Sequence, residues 1–157
     1  MYLTRLQCKH FRCLAELEFL PEPGINVIRG DNAQGKTTVL EAILFVATSK
    51  SHRTTAESDL TQYGEEQFHV KAWAQRQDRA LDIESNWWRS TKRFKINGIA
   101  QTRLSDILGR LNVVLFSPED VDLVKGGASH RRRFLDMEIS QIDPAYLNAL
   151  QQYRQIL

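Results

Sequence analysis

Eight consecutive residues, Gly30-Asp31-Asn32-Ala33-Gln34-Gly35-Lys36-Thr37, are the part of this chain best suited to chemistry. They fit G-x-x-x-x-G-K-[ST], the Walker A pattern of a phosphate-cradling loop. Each fixed position has its own physical reason. Glycines let the backbone turn so that N–H groups point inward and form an anion nest. The helix expected to follow aims the positive end of its dipole at the phosphates. Lys36 adds a point charge at the β- and γ-phosphates, and the Thr37 hydroxyl completes the shell of a Mg²⁺ ion. The pattern predicts ATP and Mg²⁺ as ligands, with Gly30 to Thr37 and Thr38 behind them as the binding residues and Thr37 as the metal contact.

Other uses of such a loop leave their own marks. A GTPase needs D-x-x-G after a second strand and an N-K-x-D for guanine. Asp106-Ile107-Leu108-Gly109 spells the first, but within a helical pattern, and the sequence contains no N-K-x-D. A small-molecule kinase needs a basic lid, for which the arginines after Ser129 are the available material. Hydrolysis in this class wants an apolar strand ending in an acid that positions Mg²⁺. Val113-Val114-Leu115-Phe116-Ser117-Pro118-Glu119-Asp120 superficially resembles one, yet Pro118 stands between strand and acid. A helix start explains the same residues without metal: a serine cap, a proline in the first turn, and acids at the positive end of the dipole. The chain thus carries the phosphate-binding half of a site rather than the hydrolytic half.

The elements that must position this loop are legible around it. Tyr2 to Cys8 and Leu14 to Phe19 read as strands, and Pro21, Pro23 and Gly24 mark the turn after them. Ile25 to Ile28 reads as a short strand leading into the loop. From Thr38 to about Lys50 nearly every residue is apolar or small, the signature of a helix buried on all sides. Ser49 to Tyr63 is polar and irregular. Phe68 to Ala74, Leu81 to Ser85 and Arg93 to Ile96 alternate like antiparallel strands, with Asn97-Gly98 as a hairpin signal. Arg103 to Leu111 has helical spacing, and Asn112 to Phe116 reads as a buried strand. Helices are expected from Pro118, over about Ser129 to Ser140, and from Pro144, where Tyr146, Leu150, Tyr153 and Leu157 form a coiled-coil type of seam. That seam is still running at Leu157, so the chain is expected to continue in the whole protein.

Bulk properties set the class. The chain has 157 residues, 42% hydrophobic and 25% charged, as in an ordinary globular domain. Its N-terminus lacks the apolar stretch of a signal peptide, no run suits a membrane span, and a cytosolic protein is expected. Cys8 and Cys13 are expected as buried thiols on early strands. Net charge is only +2. Arg89, Lys92, Arg93 and Lys95, interleaved with Trp87, Trp88 and Phe94, suit either a hairpin tracking DNA phosphates or a sheet edge protected by cations. Arg131 to Arg133 span too wide an arc for one helix face, so at least one is expected to pair internally.

Taken together, Phe11-Arg12, Gly24-Ile25-Asn26, the Walker loop, Leu40-Glu41-Ala42-Ile43, Phe116 to Asp120, Leu123 to Gly126 and Arg131-Arg132-Arg133-Phe134-Leu135-Asp136 resemble the RecF family over essentially the whole chain. The block from Ser117 to Asp136 is its most specific part. That family belongs to the ABC-type heads that include the SMC proteins. The resemblance implies an α/β P-loop head with a mixed sheet around a buried helix, a small antiparallel sheet and the start of a helical lobe. Residues 1–116 would form the nucleotide-binding lobe and 117–157 the beginning of the second. It further implies ATP-dependent homodimerisation on DNA, gapped or single-stranded, with RecR and RecO as partners and slow hydrolysis when the later motifs are present. Arg12 would reach the phosphates. His52 and Arg53 would line the adenine side, with a solvated loop as the alternative. A Mg²⁺-sensing glutamine is expected after the strand at Asn112 to Phe116; Ser117, Pro118 and Glu119 stand there instead. The alternatives are a RecR-binding module with a secondary ATP site, or a small kinase.

Overall fold

In the computed structural model the described residues are all but Asp78 and Leu157, with the side chain of Glu119 also outside the description. Six strands form one sheet: β1 (Tyr2–Phe11), β2 (Leu14–Phe19), β3 (Gln67–Arg76), β4 (Arg79–Trp88), β5 (Thr91–Ile96) and β6 (Ile99–Gln101). Their order is β2-β1-β3-β4-β5-β6, and every pairing is antiparallel. Alternation gives the sheet two unlike faces, as expected for half-buried strands. Leu6, Cys8, Phe68, Val70, Ala72, Ile83, Phe94 and Ile96 are buried on one face. Lys9, His69, Lys71, Glu84, Arg93 and Lys95 belong to the other. The Asn97-Gly98 hairpin forms as read: both residues take positive φ, 48° and 77°, and Ile96 pairs with Ile99.

Helix α1 (Lys36–Thr48) packs on the apolar face. Its Phe45 ring lies 5.9 Å from Phe11, 5.4 Å from Phe68 and 6.5 Å from Phe94. Burying one such side chain contributes about 1.5–3 kcal/mol, so this cluster fixes the helix against β1, β3 and β5. Ser49 ends the helix in a left-handed conformation, its N–H donating to the Phe45 carbonyl at 2.7 Å. The helix is not buried all round: Leu40 is exposed.

The fold class is as expected, but the sheet differs in detail. It is a single antiparallel sheet rather than a mixed sheet with a smaller one beside it. Ile25 to Ile28 forms no strand, because no described segment pairs with it; Ile25 and Val27 are 95% and 83% exposed. Asn112 to Phe116 is likewise extended but unpaired. The buried Gln141 side chain takes the place of a neighbouring strand, accepting from Val113 N–H at 2.9 Å and donating to the Val113 carbonyl at 3.1 Å. Val114 and Phe116 point to solvent. Arg103 to Leu111 is a 3-10 turn, Leu104–Asp106, followed by turns, not a helix.

The C-terminal part is helical. Pro118–Val121 is a 3-10 turn leading into α2 (Asp122–Lys125), followed by α3 (Ala128–Ile142) and α4 (Pro144–Ile156). Asp120 caps the turn by accepting from Ser117 N–H at 2.6 Å, so this acid serves the helix start. Arg131 is the internally paired arginine, donating to the carbonyls of Gly126 at 2.9 Å and Leu123 at 3.4 Å. Of the Asp106-Ile107-Leu108-Gly109 match, Asp106 caps its own 3-10 turn through Arg103 N–H.

Candidate nucleotide site

Gly35 is the pivot of the loop. It precedes α1 with φ 87°, and a Cβ there would lie 2.9 Å from Leu14 Cδ2 and 3.2 Å from Cys13 Sγ. The left-handed conformation favours glycine, and a Cβ would have to push the Leu14 side-chain tip aside. Ala33 also takes a left-handed φ of 66°, a strain of about 1–2 kcal/mol for a non-glycine residue. No side chain caps α1, so the N–H groups of its first turn face the loop with the helix dipole behind them. Lys36 Nζ reaches back across the loop to the carbonyls of Gly30 and Asp31, at 2.8 and 2.7 Å. That holds the ammonium against the backbone of the loop itself.

A cleft of about 530 Å³ opens here, lined by Asn32, Ala33, Gly35, Lys36, Thr37 and Thr38 of the loop and by Arg12, Cys13, Arg53, Asp59 and Thr61 opposite. The volume is that of a small-molecule site. Thr37 is exposed to the cleft, whereas Thr38 is buried, with its hydroxyl 3.5 Å from Cys13 Sγ. The residues fit a nucleotide triphosphate: a glycine cradle, an uncapped helix start and a lysine at one spot. For Mg²⁺ they offer the Thr37 hydroxyl, and no group of three His, Cys, Asp or Glu among the described residues forms a metal cage. A Mg²⁺ ion here would be held by Thr37 and by the phosphates it accompanies.

The opposite wall centres on Glu41, a residue that sequence reasoning used only as part of a resemblance. Glu41 is fully buried on α1. Its carboxylate accepts from Arg12 Nη2 at 2.7 Å, Arg12 Nε at 3.1 Å, Ser51 Oγ at 2.5 Å and Arg53 Nη1 at 3.3 Å. Burial alone would raise this carboxyl. Hydrogen bonds from Arg12 and Ser51, then the charges of Arg12 and Arg53, outweigh burial and hold it below its ordinary value. Arg12 is further fixed by Nη1 donating to the Asp59 carbonyl at 2.9 Å. One buried carboxylate therefore aims two guanidinium groups at the cleft that holds the phosphate loop. The legible signal was an acid in the middle of an otherwise apolar helix, a position that demands a partner.

The remaining predicted residues divide. Arg53 joins the phosphate cleft, but His52 lines a separate one with Leu115 and Phe134. Cys8 is buried, and burial pushes its thiol up to about 12. Cys13, expected buried, is exposed, because it sits in the turn between β1 and β2. The four basic residues of the β4–β5 hairpin do not form one patch. Lys92 turns to the apolar face, where it pairs with Glu57 and lies 5.7 Å from the Phe45 ring. Arg93 and Lys95 belong to the outer face, the latter 3.7 Å from Glu84. Arg89 pairs with Glu66 at 3.1 Å over the Trp88 ring. Strand alternation separates Lys92 from its sequence neighbours.

Residues 5–102 match the family model described as an AAA domain. The chain belongs to the AAA domain family. The RecF resemblance also holds. The AAA chain is 46% identical over 157 residues to the DNA replication and repair protein RecF of Halalkalibacterium halodurans, and 44% identical to that of Bacillus mycoides (strain KBAB4). It spans about 42% of the length of each of these curated relatives. Its fold superposes on the recombination mediator protein RecF-ATP of the RecFOR pathway with TM-score 0.94 and 37% identity, covering 99% of this chain and 44% of that one. An SMC head domain from Thermotoga maritima shares the fold alone, at TM-score 0.59 and 20% identity over 71% of this chain and 43% of that one.

Proposed function

We propose that this chain is the ATP-binding part of a RecF-like DNA repair and replication ATPase. One observation carries the reading: an uncapped α1 start, a glycine cradle and Lys36 share one cleft, in a chain 37% identical in sequence to, and closely superposable on, a RecF-ATP structure. Gly30 to Thr38 hold the phosphates, Lys36 neutralises the outer ones, and Thr37 completes the Mg²⁺ shell. Arg12, held by Glu41, supplies a second positive group from the facing wall. Residues 1–116 serve as the nucleotide-binding lobe and 117–157 as the start of the helical one. In the whole protein ATP binding drives homodimerisation on DNA, in concert with RecR and RecO, and hydrolysis is slow. The kinase reading lacks support, since Arg131 is tied to backbone carbonyls and Arg132 and Arg133 line other clefts.

The test is light scattering on the intact protein with ATP or ADP, in the presence and absence of DNA. ATP should raise the mass to that of a dimer, and Lys36→Ala should abolish the rise. Nucleotide-independent mass in the parent protein would refute the gating.

A further inference from the structure

A second cleft, of about 680 Å³, lies where α3 and α4 meet the end of α1. Lys50, Arg132, Arg133 and Arg154 line it, against a single carboxylate, Asp136. That carboxylate is already committed: Oδ1 accepts from the Tyr146 hydroxyl at 2.7 Å and Oδ2 from Arg154 Nη2 at 2.8 Å. Cations of the sheet are treated differently. Arg5, Lys71 and Lys95 each meet a carboxylate, those of Glu18, Asp82 and Glu84. In the cleft Arg154 alone has such a partner, Asp136, and Lys50, Arg132 and Arg133 meet no carboxylate among the described residues. Partial burial, then the charges of Arg133 and Arg154, hold the Lys50 ammonium below its ordinary value, against a smaller opposing pull from Asp136. Like charges gathered in a concave surface raise the local concentration of anions.

Three members of the apolar seam read from the sequence, Tyr146, Leu150 and Tyr153, lie in this cleft, and the fourth, Leu157, is outside the described residues. Tyr146 and Tyr153 line the same cleft, Tyr153 being 60% exposed. Cations along a groove with accessible aromatic rings are the means by which proteins hold a nucleic-acid strand, phosphates on the charges and bases on the rings. We infer that this cleft is a second anion site, separate from the phosphate loop, which takes the phosphodiester backbone of a nucleic-acid strand on Lys50, Arg132 and Arg133. The inference rests on the proposed function for its ligand and moves the DNA contact from the β4–β5 hairpin to the helical part. Arg131, fixed to backbone carbonyls, has no share in it.

The test uses the intact protein and Arg132→Gln/Arg133→Gln, both side chains being exposed, with Lys50→Gln as an independent variant and thermal melting to confirm folding. Fluorescence anisotropy of a labelled oligonucleotide is followed through a salt series, with a fluorescent ATP analogue in parallel. The double variant should weaken oligonucleotide binding roughly tenfold or more and lower the salt slope by about 1.5–2, as loss of two phosphate contacts requires. ATP affinity should stay within about twofold, since the phosphate loop is untouched. Unchanged oligonucleotide affinity and salt slope with intact ATP binding would overturn the assignment. So would ATP binding in a Lys36→Ala background that the double variant removes while oligonucleotide binding persists, which would make the occupant a free nucleotide. Failure of the parent to bind the ATP analogue is a failure of the proposed function and is read in that separate channel.

Discussion

Replacing Glu41 with alanine tests the wall of the nucleotide cleft. The substitution removes the one carboxylate that Arg12, Arg53 and Ser51 share. Arg12 matters most, its side chain only 19% exposed. Removing one partner of a buried ion pair costs about 3–5 kcal/mol, because the other charge is left without compensation. Arg53 adds little, since its side chain is 43% exposed and its contact is 3.3 Å; such pairs are worth about 0–1 kcal/mol. The expected loss is therefore about 3–5 kcal/mol, read from urea unfolding by tryptophan fluorescence. Glu41→Ala/Arg12→Ala should be less destabilised than the sum of the single variants by about 0.5–3 kcal/mol. The same site sets a pH dependence. The folded carboxyl is held below its ordinary value, so its contribution is complete above the ordinary carboxylate range and fades as pH falls through the depressed value. Glu41→Ala should flatten that acid limb. A loss under about 1 kcal/mol, or an unchanged acid limb, would refute the claim that this carboxylate anchors the wall.

Three further outcomes follow from the geometry. Gly35→Ala, with φ 87° and only 2.9 Å to Leu14 Cδ2, should cost at least about 1–2 kcal/mol and abolish binding of an ATP analogue in a fluorescence titration. Gly109→Ala would place a Cβ 2.6 Å from the Gln141 carbonyl oxygen at φ 80°; a loss of about 2 kcal/mol or more in the urea midpoint is expected, without change in nucleotide affinity. Maleimide should label Cys13 in the native chain and Cys8 only on unfolding, because Cys8 is buried with its thiol pushed up to about 12. ATP with Mg²⁺ should slow the Cys13 reaction, since Cys13 lines the same cleft as Lys36, and peptide mass spectrometry reads both.

The sequence was most informative where one local rule governs a residue. Gly35, Lys36 and Thr37 announced the loop because helix start, glycine freedom and cation coincide within three positions. Asn97-Gly98 announced a hairpin because both residues need positive φ. Ser117 to Asp120 read correctly as the start of a helical segment. It was least informative where pairing is decided at a distance. Ile25 to Ile28 and Asn112 to Phe116 have strand composition, but strand formation needs a hydrogen-bonding neighbour, and among the described residues neither has one. Lys92 read as one of four exposed cations, on a DNA-tracking hairpin or a protected sheet edge, yet its parity along β5 turns it inward to Glu57. The Glu41 network joins residues from β1–β2, α1 and the loop after it, contacts across 29 and 12 positions that no local pattern encodes.

The most direct test of the central claim is a titration of the chain with a fluorescent ATP analogue, with and without Mg²⁺, alongside Lys36→Ala and with excess GTP as competitor. Saturable, Mg²⁺-dependent binding that Lys36→Ala abolishes and GTP does not displace is the predicted result. Binding that survives Lys36→Ala, or that GTP competes away, would contradict an adenine-nucleotide site built on this loop.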